Sequence, residues 1–291
     1  MPEAIPLWNN RQIKSDQKPP SITPYLLEGD TPRPAILVIP GGGYRNVCES
    51  TEGYAIARRF NELGFHAAVL HYRVFPHHFP EPQQDAFRAI KILRGNAREW
   101  KIIPNQIATC GFSAGGHLSA STGTLQDENI DATDKDRYDD IDQYPDAIMM
   151  AYPVISLEAW SHGGSGHSLL GDEFDAKHKQ YSLENRVSDK TPPTFLWATL
   201  QDKLVSYKNS VVFAQAMAEH NRPCELHIFP FGAHGMLLGI NTFDVGQWTT
   251  LAANFLKTHF TRQELQDNPE KLKQFDELYT NAMQAKLEPP R

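Results

Sequence analysis

Short apolar, β-rich runs alternate along the chain with stretches whose apolar positions recur every three to four residues. The runs Ala35–Ile39, Ala67–Tyr72, Ile107–Gly111, Ala147–Tyr152, Thr194–Thr199 and Glu225–Phe229 read as buried strands. The stretches Glu52–Leu63, Gln83–Trp100, Ser113–Gly123, Val205–His220 and Val245–Phe260 read as helices. Gly64 closes the first of these with a C-cap signal, and Phe87, Ile90, Ile92 and Leu93 are among the apolar positions of the second. The first 33 residues, rich in proline and polar side chains, are expected to wrap the surface, with one strand at Ile22–Leu27. Strand–helix alternation implies a parallel sheet covered on both faces by helices. No internal repeat is visible, and 291 residues suit one α/β domain spanning 1–291.

Two stretches break the rhythm. Gln126–Tyr144 is acidic, with Asp131, Asp134, Asp136, Asp139, Asp140 and Asp142, and is expected to be a solvated loop. Val154–Pro192 shows no sheet strand and is expected to form a small loop and helix insert over the site. Its centre carries Gly163, Gly164 and Gly166, which predicts a mobile loop. The tail after Arg262 is charged and helical in pattern, suited to packing on the surface, to an oligomer contact or to fraying.

Composition narrows the class. Hydrophobic residues make up 40% and charged residues 22%, ordinary for a globular protein, and the net charge is −7. Without a basic footprint, nucleic acid is not expected as a partner, nor is an anionic membrane surface. Cys48, Cys110 and Cys224 are odd in number and widely spaced, which argues against a disulfide framework or a zinc site. The N-terminus lacks the pattern of a signal peptide, and no apolar run approaches the ~18 residues that span a bilayer. A cytoplasmic location is the expectation.

The strongest chemical signal is Gly111-Phe112-Ser113-Ala114-Gly115, followed by Gly116 and His117. It sits between a predicted strand and a helix of small residues, the setting that presents a serine on a tight, strained turn. Neighbours must be small there, and the helix N-terminus directs free N–H groups at developing negative charge. Pro40-Gly41-Gly42-Gly43-Tyr44 follows the strand Ala35–Ile39. The amides of Gly42 and Gly43, with that of Ala114, are the candidates to hold an oxyanion. Tyr44 is a candidate substrate contact. No G-x-G-x-x-G spacing and no following G-K-S/T supports a nucleotide loop. Asp202 lies just past the strand Thr194–Thr199, and His234 just past Glu225–Phe229. Serine is a weak nucleophile, so it needs an imidazole to take its proton and a carboxylate to fix the imidazole's tautomer. The chain order Ser113, Asp202, His234 satisfies that arrangement.

Other residues compete for these roles. His117 is expected to pack or cap, and His66 and His71 to be structural. His77 and His78 can line a pocket mouth. His162, His167 and His178 lack the neighbours of a metal site, so no metal is expected. Asp172, Asp175 and Asp189 replace Asp202 only under a different strand assignment. Asp85 is expected to anchor the loop near Tyr72 and Arg73, or to serve as a carboxylate at a helix N-terminus.

Taken together, PGGGY, HYR, the proline-rich loop with Asp85, GFSAGGHLSA, TPPTFLWATLQDKLV and NSVVFAQAMAEHNRPCELHIFPFGAHG resemble the esterase/lipase group of α/β-hydrolases over roughly residues 35–260. The resemblance is to bacterial acetyl-xylan esterases and xylanase-like sugar-ester hydrolases, and more distantly to the hormone-sensitive-lipase branch. In that branch a histidine precedes the three glycines, whereas Pro40 stands here. The resemblance implies an α/β-hydrolase fold and a cofactor-independent serine esterase acting on short acyl groups, an acetylated sugar among the candidate substrates. The alternatives are a serine peptidase of the prolyl-oligopeptidase type, which usually carries a large extra domain, and a catalytically silent binding protein on the same fold. A glycosidase would need two facing carboxylates, and nothing in the sequence marks such a pair.

Overall fold

The computed structural model describes residues 2–9, 17–128, 130 and 132–287. Its strands are β1 (Ile5–Pro6), β2 (Ser21–Tyr25), β3 (Arg33–Ile39), β4 (His66–His71), β5 (Ile102–Phe112), β6 (Ala147–Ala151), β7 (Thr194–Thr199) and β8 (Cys224–Phe229). The helices are α1 (Tyr54–Glu62), α2 (Glu81–Gly95), α3 (Ala97–Trp100), α4 (Ala114–Thr124), α5 (Gly163–Leu170), α6 (Phe174–Lys177), α7 (Lys208–Glu219), α8 (Trp248–Gln266) and α9 (Pro269–Leu287).

One sheet runs in the order β1-β2-β4-β3-β5-β6-β7-β8. The strands from β4 to β8 pair in parallel, while β1 and β2 join the β4 edge antiparallel. The N-terminal segment therefore extends the sheet as well as covering it. Alternation along β3 explains the two-sided core, because successive side chains point to opposite faces. Leu37 and Ile39 pack with Phe87, Ile90, Leu118, Phe213 and Met217 of α2, α4 and α7. Ile36 and Val38 pack with Ile56, Phe60, Trp248 and Leu256 of α1 and α8. From β3 the chain passes to β4 on one side, then returns to β5 on the other. That reversal puts the topological switch point at the carboxyl ends of β3 and β5, where open α/β sheets generally bind ligands.

Several expected elements shift. A π-helical turn at Glu49–Gly53 precedes α1, so the helix begins at Tyr54 and not Glu52. The stretch Gln83–Trp100 is two helices, with Asn96 between them spending its side-chain amide on the Ile92 carbonyl at 2.9 Å. The last predicted helix opens with a 3-10 turn at Val245–Gln247, and α8 then continues to Gln266. Helix α9 follows it, and residues 288–291 lie outside the described residues.

The acidic stretch is not simply solvated. Arg88 on α2 is 1% exposed, and Asp134, Asp136 and Asp139 surround its guanidinium. Its Nε also donates to the Leu7 carbonyl at 2.9 Å, and Trp8 and Tyr138 flank it. A buried cation requires counter-charge, and this stretch supplies it. Asp131 lies outside the described residues. The glycine-rich centre of the insert is a helix and not a loop, since it forms α5. A Cβ on Gly166 would meet the Phe174 ring at 2.4 Å, so glycine allows α5 to pack closely on α6. The Leu169 carbonyl accepts from the Phe79 amide at 2.7 Å, and Arg45 Nε donates to Ser168 Oγ at 3.0 Å.

Candidate active site

Strand β5 runs straight into the turn carrying Ser113, which has φ 51° and ψ −119° before α4 begins. A non-glycine residue rarely adopts positive φ, so the surroundings must hold it there. The Ser113 amide donates to the Ala151 carbonyl at 3.1 Å, and its carbonyl accepts from Val154 at 3.0 Å and Gly116 at 2.9 Å. The glycines follow from crowding. A Cβ on Gly115 would sit 2.2 Å from the Ile39 carbonyl oxygen, and one on Gly111 would sit 2.1 Å from the Gly115 carbonyl oxygen.

The structure brings the three expected residues together. His234 Nε2 lies 2.9 Å from Ser113 Oγ, and His234 Nδ1 lies 2.7 Å from Asp202 Oδ2. Asp202 Oδ1 accepts from the Leu204 and Val205 amides, both at 2.9 Å. Burial pushes the Asp202 carboxyl up, but its bonds to His234 and to the Val205 and Leu204 amides outweigh that and hold it below its ordinary range. It is therefore an anion at neutral pH, the imidazole carries its proton on Nδ1, and the lone pair of Nε2 faces the serine hydroxyl. Thr199 Oγ1 donates to the Gly232 carbonyl at 2.8 Å, which ties the histidine loop to the end of β7. Leu200–Leu204 and Gly232–His234 line a cavity of about 750 Å³ beside these groups.

The glycine turn after β3 faces the serine turn. Gly42 and Gly43 have φ of 130° and 66°, open to glycine at little cost. Among the described residues, no group of the chain accepts from the amides of Gly42, Gly43 or Ala114. The Gly41 amide is engaged and donates to Glu52 Oε2 at 2.7 Å.

Tyr44 departs from expectation. Its ring is 1% exposed, packed against Tyr72 and His117, and its hydroxyl lies 3.0 Å from His117 Nδ1. An aromatic ring buried with its hydroxyl satisfied supports the turn from beneath and offers substrate no surface. Burial pulls His117 down to about 4, so it is neutral, and its Nε2 donates to the Tyr181 carbonyl at 2.9 Å. Its Nδ1 must then accept from Tyr44. His78 pairs with the Ser168 carbonyl of the insert, whereas His77 pairs with Glu81 at the start of α2. His66 and His71 are structural, bonded to Leu27 and Lys101, and to Glu49. Asp85, fully buried, accepts from the Arg73 amide and guanidinium and from Trp8 Nε1. Among the described residues, no three His, Cys, Asp or Glu side chains gather to hold a metal ion.

Sequence reasoning missed Glu52 and Tyr152. Burial pushes the Glu52 carboxyl up, while the Gly41 amide and the Tyr152 hydroxyl pull it back in part. In sequence, Glu52 is only one more acidic residue at a helix start, and Tyr152 the last residue of an apolar strand.

A mostly parallel sheet in this order, with a serine turn at its switch point, is that of an α/β-hydrolase. The chain belongs to the BD-FAE family, whose model matches residues 25–217. It is 36% identical over 233 residues to endo-1,4-beta-xylanase B of Butyrivibrio fibrisolvens, covering 78% of this chain and 36% of that protein. It is 32% identical over 249 residues to the acetylxylan esterase of Xylanibacter ruminicola, covering 80% and 48%. The chain thus spans less than half the length of these two curated relatives. The acetyl ester-xyloside bifunctional hydrolase from Caldicellulosiruptor lactoaceticus superposes with a TM-score of 0.82 at 39% identity, over 88% of this chain and 96% of that one. The carboxylesterase Cest-2923 from Lactobacillus plantarum gives a TM-score of 0.70 at 25% identity, over 86% and 96%. Among the described residues, no helix is long and apolar enough to cross a membrane.

Proposed function

We propose that the chain hydrolyses short acyl esters, acetyl esters of a carbohydrate foremost, through a covalent acyl-enzyme on Ser113. The observation that carries this reading is the continuous hydrogen-bonded run from Ser113 Oγ through His234 to Asp202; among the described residues the amides of Gly42, Gly43 and Ala114, in the turns around it, have no acceptor of their own. Ser113 Oγ attacks the ester carbonyl carbon as His234 Nε2 takes its proton. Asp202 stabilises the imidazolium that forms. The carbonyl oxygen, now an anion, is held by the amides of Gly42, Gly43 and Ala114, the last at the start of α4. As the carbon–oxygen bond to the alcohol breaks, His234 returns the proton to the leaving oxygen. Water then attacks the acyl-enzyme with His234 again accepting the proton, and the acid departs with Ser113 restored.

The acetyl and carbohydrate parts of the reading draw support from the names of the Xylanibacter and Caldicellulosiruptor proteins. The test is a p-nitrophenyl ester series, acetate through decanoate, with wild type and Ser113→Ala, and acetylated xylo-oligosaccharide alongside. The expected result is preference for the shortest acyl groups, acetate released from the sugar, and a loss of roughly 10⁴–10⁶-fold in kcat in the variant. Absence of Ser113-dependent turnover on every ester would overturn the reading. An aryl xyloside is run in parallel because the Caldicellulosiruptor enzyme's name includes that activity. Xyloside turnover that survives Ser113→Ala would belong to different chemistry.

A further inference from the structure

Behind the glycine turn lies a buried carboxylate with no part in the proton relay. Glu52 is 6% exposed, and both of its oxygens are occupied. Oε2 accepts from the Gly41 amide at 2.7 Å, and Oε1 accepts from the Tyr152 hydroxyl at 3.0 Å. The two partners lead to opposite sides of the reacting centre. Gly41 stands so close to the nucleophile that a Cβ on it would be 2.9 Å from Ser113 Cβ and 2.8 Å from Glu52 Oε2. The Tyr152 ring packs edge-on against the His234 imidazole, centroids 5.0 Å apart, and its amide is anchored to the Trp197 carbonyl at 2.7 Å.

Three consecutive glycines have little conformational preference of their own, so the direction of their amides must be imposed from outside. Contacts along the chain do part of this. The Gly41 carbonyl accepts from Cys48 at 3.0 Å, and the Gly42 carbonyl accepts from Arg45 at 3.0 Å and Asn46 at 3.1 Å. Glu52 supplies the donor-side anchor, fixing the peptide that leads into the two free amides. A buried carboxylate is costly, and an apolar side chain would fill the same space without that penalty.

We propose that Glu52 is a positioning residue that holds the Gly41–Gly43 turn and the His234 ring in register with Ser113. The inference rests on the acyl-transfer reading of Ser113. It depends on reach, because the carboxylate must bridge the turn and Tyr152 at once.

The test compares Glu52→Gln, which keeps the reach and loses the charge, with Glu52→Asp, which keeps the charge and shortens the reach by one methylene. Wild type and Ser113→Ala are run with them. The readouts are kcat and KM on p-nitrophenyl acetate, measured well below each variant's Tm. The glutamine oxygen can still accept from Gly41, so Glu52→Gln is expected within about tenfold of wild type in kcat. Glu52→Asp is expected to lose about 10²–10³-fold in kcat, the scale of losing one oxyanion donor, with KM within about threefold. The reverse order would assign the effect to charge and overturn the proposal. A Glu52→Asp protein with lowered Tm and wild-type kcat would make the residue merely structural and also overturn it. Wild type lacking Ser113-dependent turnover would remove the acyl-transfer reading and this inference together, whereas Ser113-dependent turnover with an unaffected Glu52→Asp would remove this inference alone.

Discussion

Replacing Asp202 by Asn tests the relay at its most buried member. The two carboxylate oxygens face different partners. Oδ1 accepts from the Leu204 and Val205 amides, each at 2.9 Å, and Oδ2 accepts from His234 Nδ1 at 2.7 Å. In Asp202→Asn the carbonyl oxygen must take one side and the NH₂ the other. Turning the NH₂ toward the two amides would leave two donors unpaired against a buried side chain, at about 1–3 kcal/mol each. The NH₂ therefore faces His234 and donates to Nδ1, which moves the imidazole proton to Nε2, the atom that must accept from Ser113. A preference of about 2–6 kcal/mol leaves the productive tautomer in roughly one molecule in 30 to one in 10⁴. Loss of the anion that stabilises the imidazolium adds to this, and the same change in the serine-peptidase triad costs about 10⁴ in kcat. The expected loss is 10³–10⁴-fold, or about 4–5 kcal/mol of transition-state stabilisation. Steady-state hydrolysis of p-nitrophenyl acetate, with circular dichroism to verify the fold, reads it directly. An Asp202→Asn enzyme within tenfold of wild type would refute the assignment of Asp202 to the relay.

Asp85→Ala leaves the Arg73 guanidinium, 4% exposed, without its buried partner. It is expected to cost about 3–5 kcal/mol in urea unfolding, and a loss below about 1 kcal/mol would contradict the assigned ion pair. Glu49 is pushed up by its partial burial but brought down to about 2 by His71 and Lys18. Its folded value lies below its ordinary 4.5, so the stability it contributes is present above that value and is lost as pH falls toward 2. The gap of about 1 kcal/mol expected between wild type and Glu49→Gln should narrow across that window. A gap that persists at the acid end, in urea titrations at stepped pH, would contradict the linkage.

The sequence by itself determined the α/β alternation, the core strands and the positions of Ser113, Asp202 and His234, because these depend on short-range physics. Period-two and period-3.6 patterns reflect burial of one face of a local element. The glycines flanking Ser113 answer crowding within a turn of a few residues, and Asp202 and His234 sit just past predicted strand ends. Only the tertiary structure decided which charges are buried and what they hold. Arg88 draws in Asp136, 48 residues away, so an apparently solvated loop became a counter-charge shell. Glu52 meets Tyr152 across 100 residues, which turned an ordinary helix-start acid into the anchor of a glycine turn. Tyr44, beside those glycines, went into the core because Tyr72 and His117 offered it packing and a hydrogen-bond partner. The cost or benefit of a polar side chain depends on the groups that surround it after folding. Those groups come from elements far apart in the chain, where no local pattern records them.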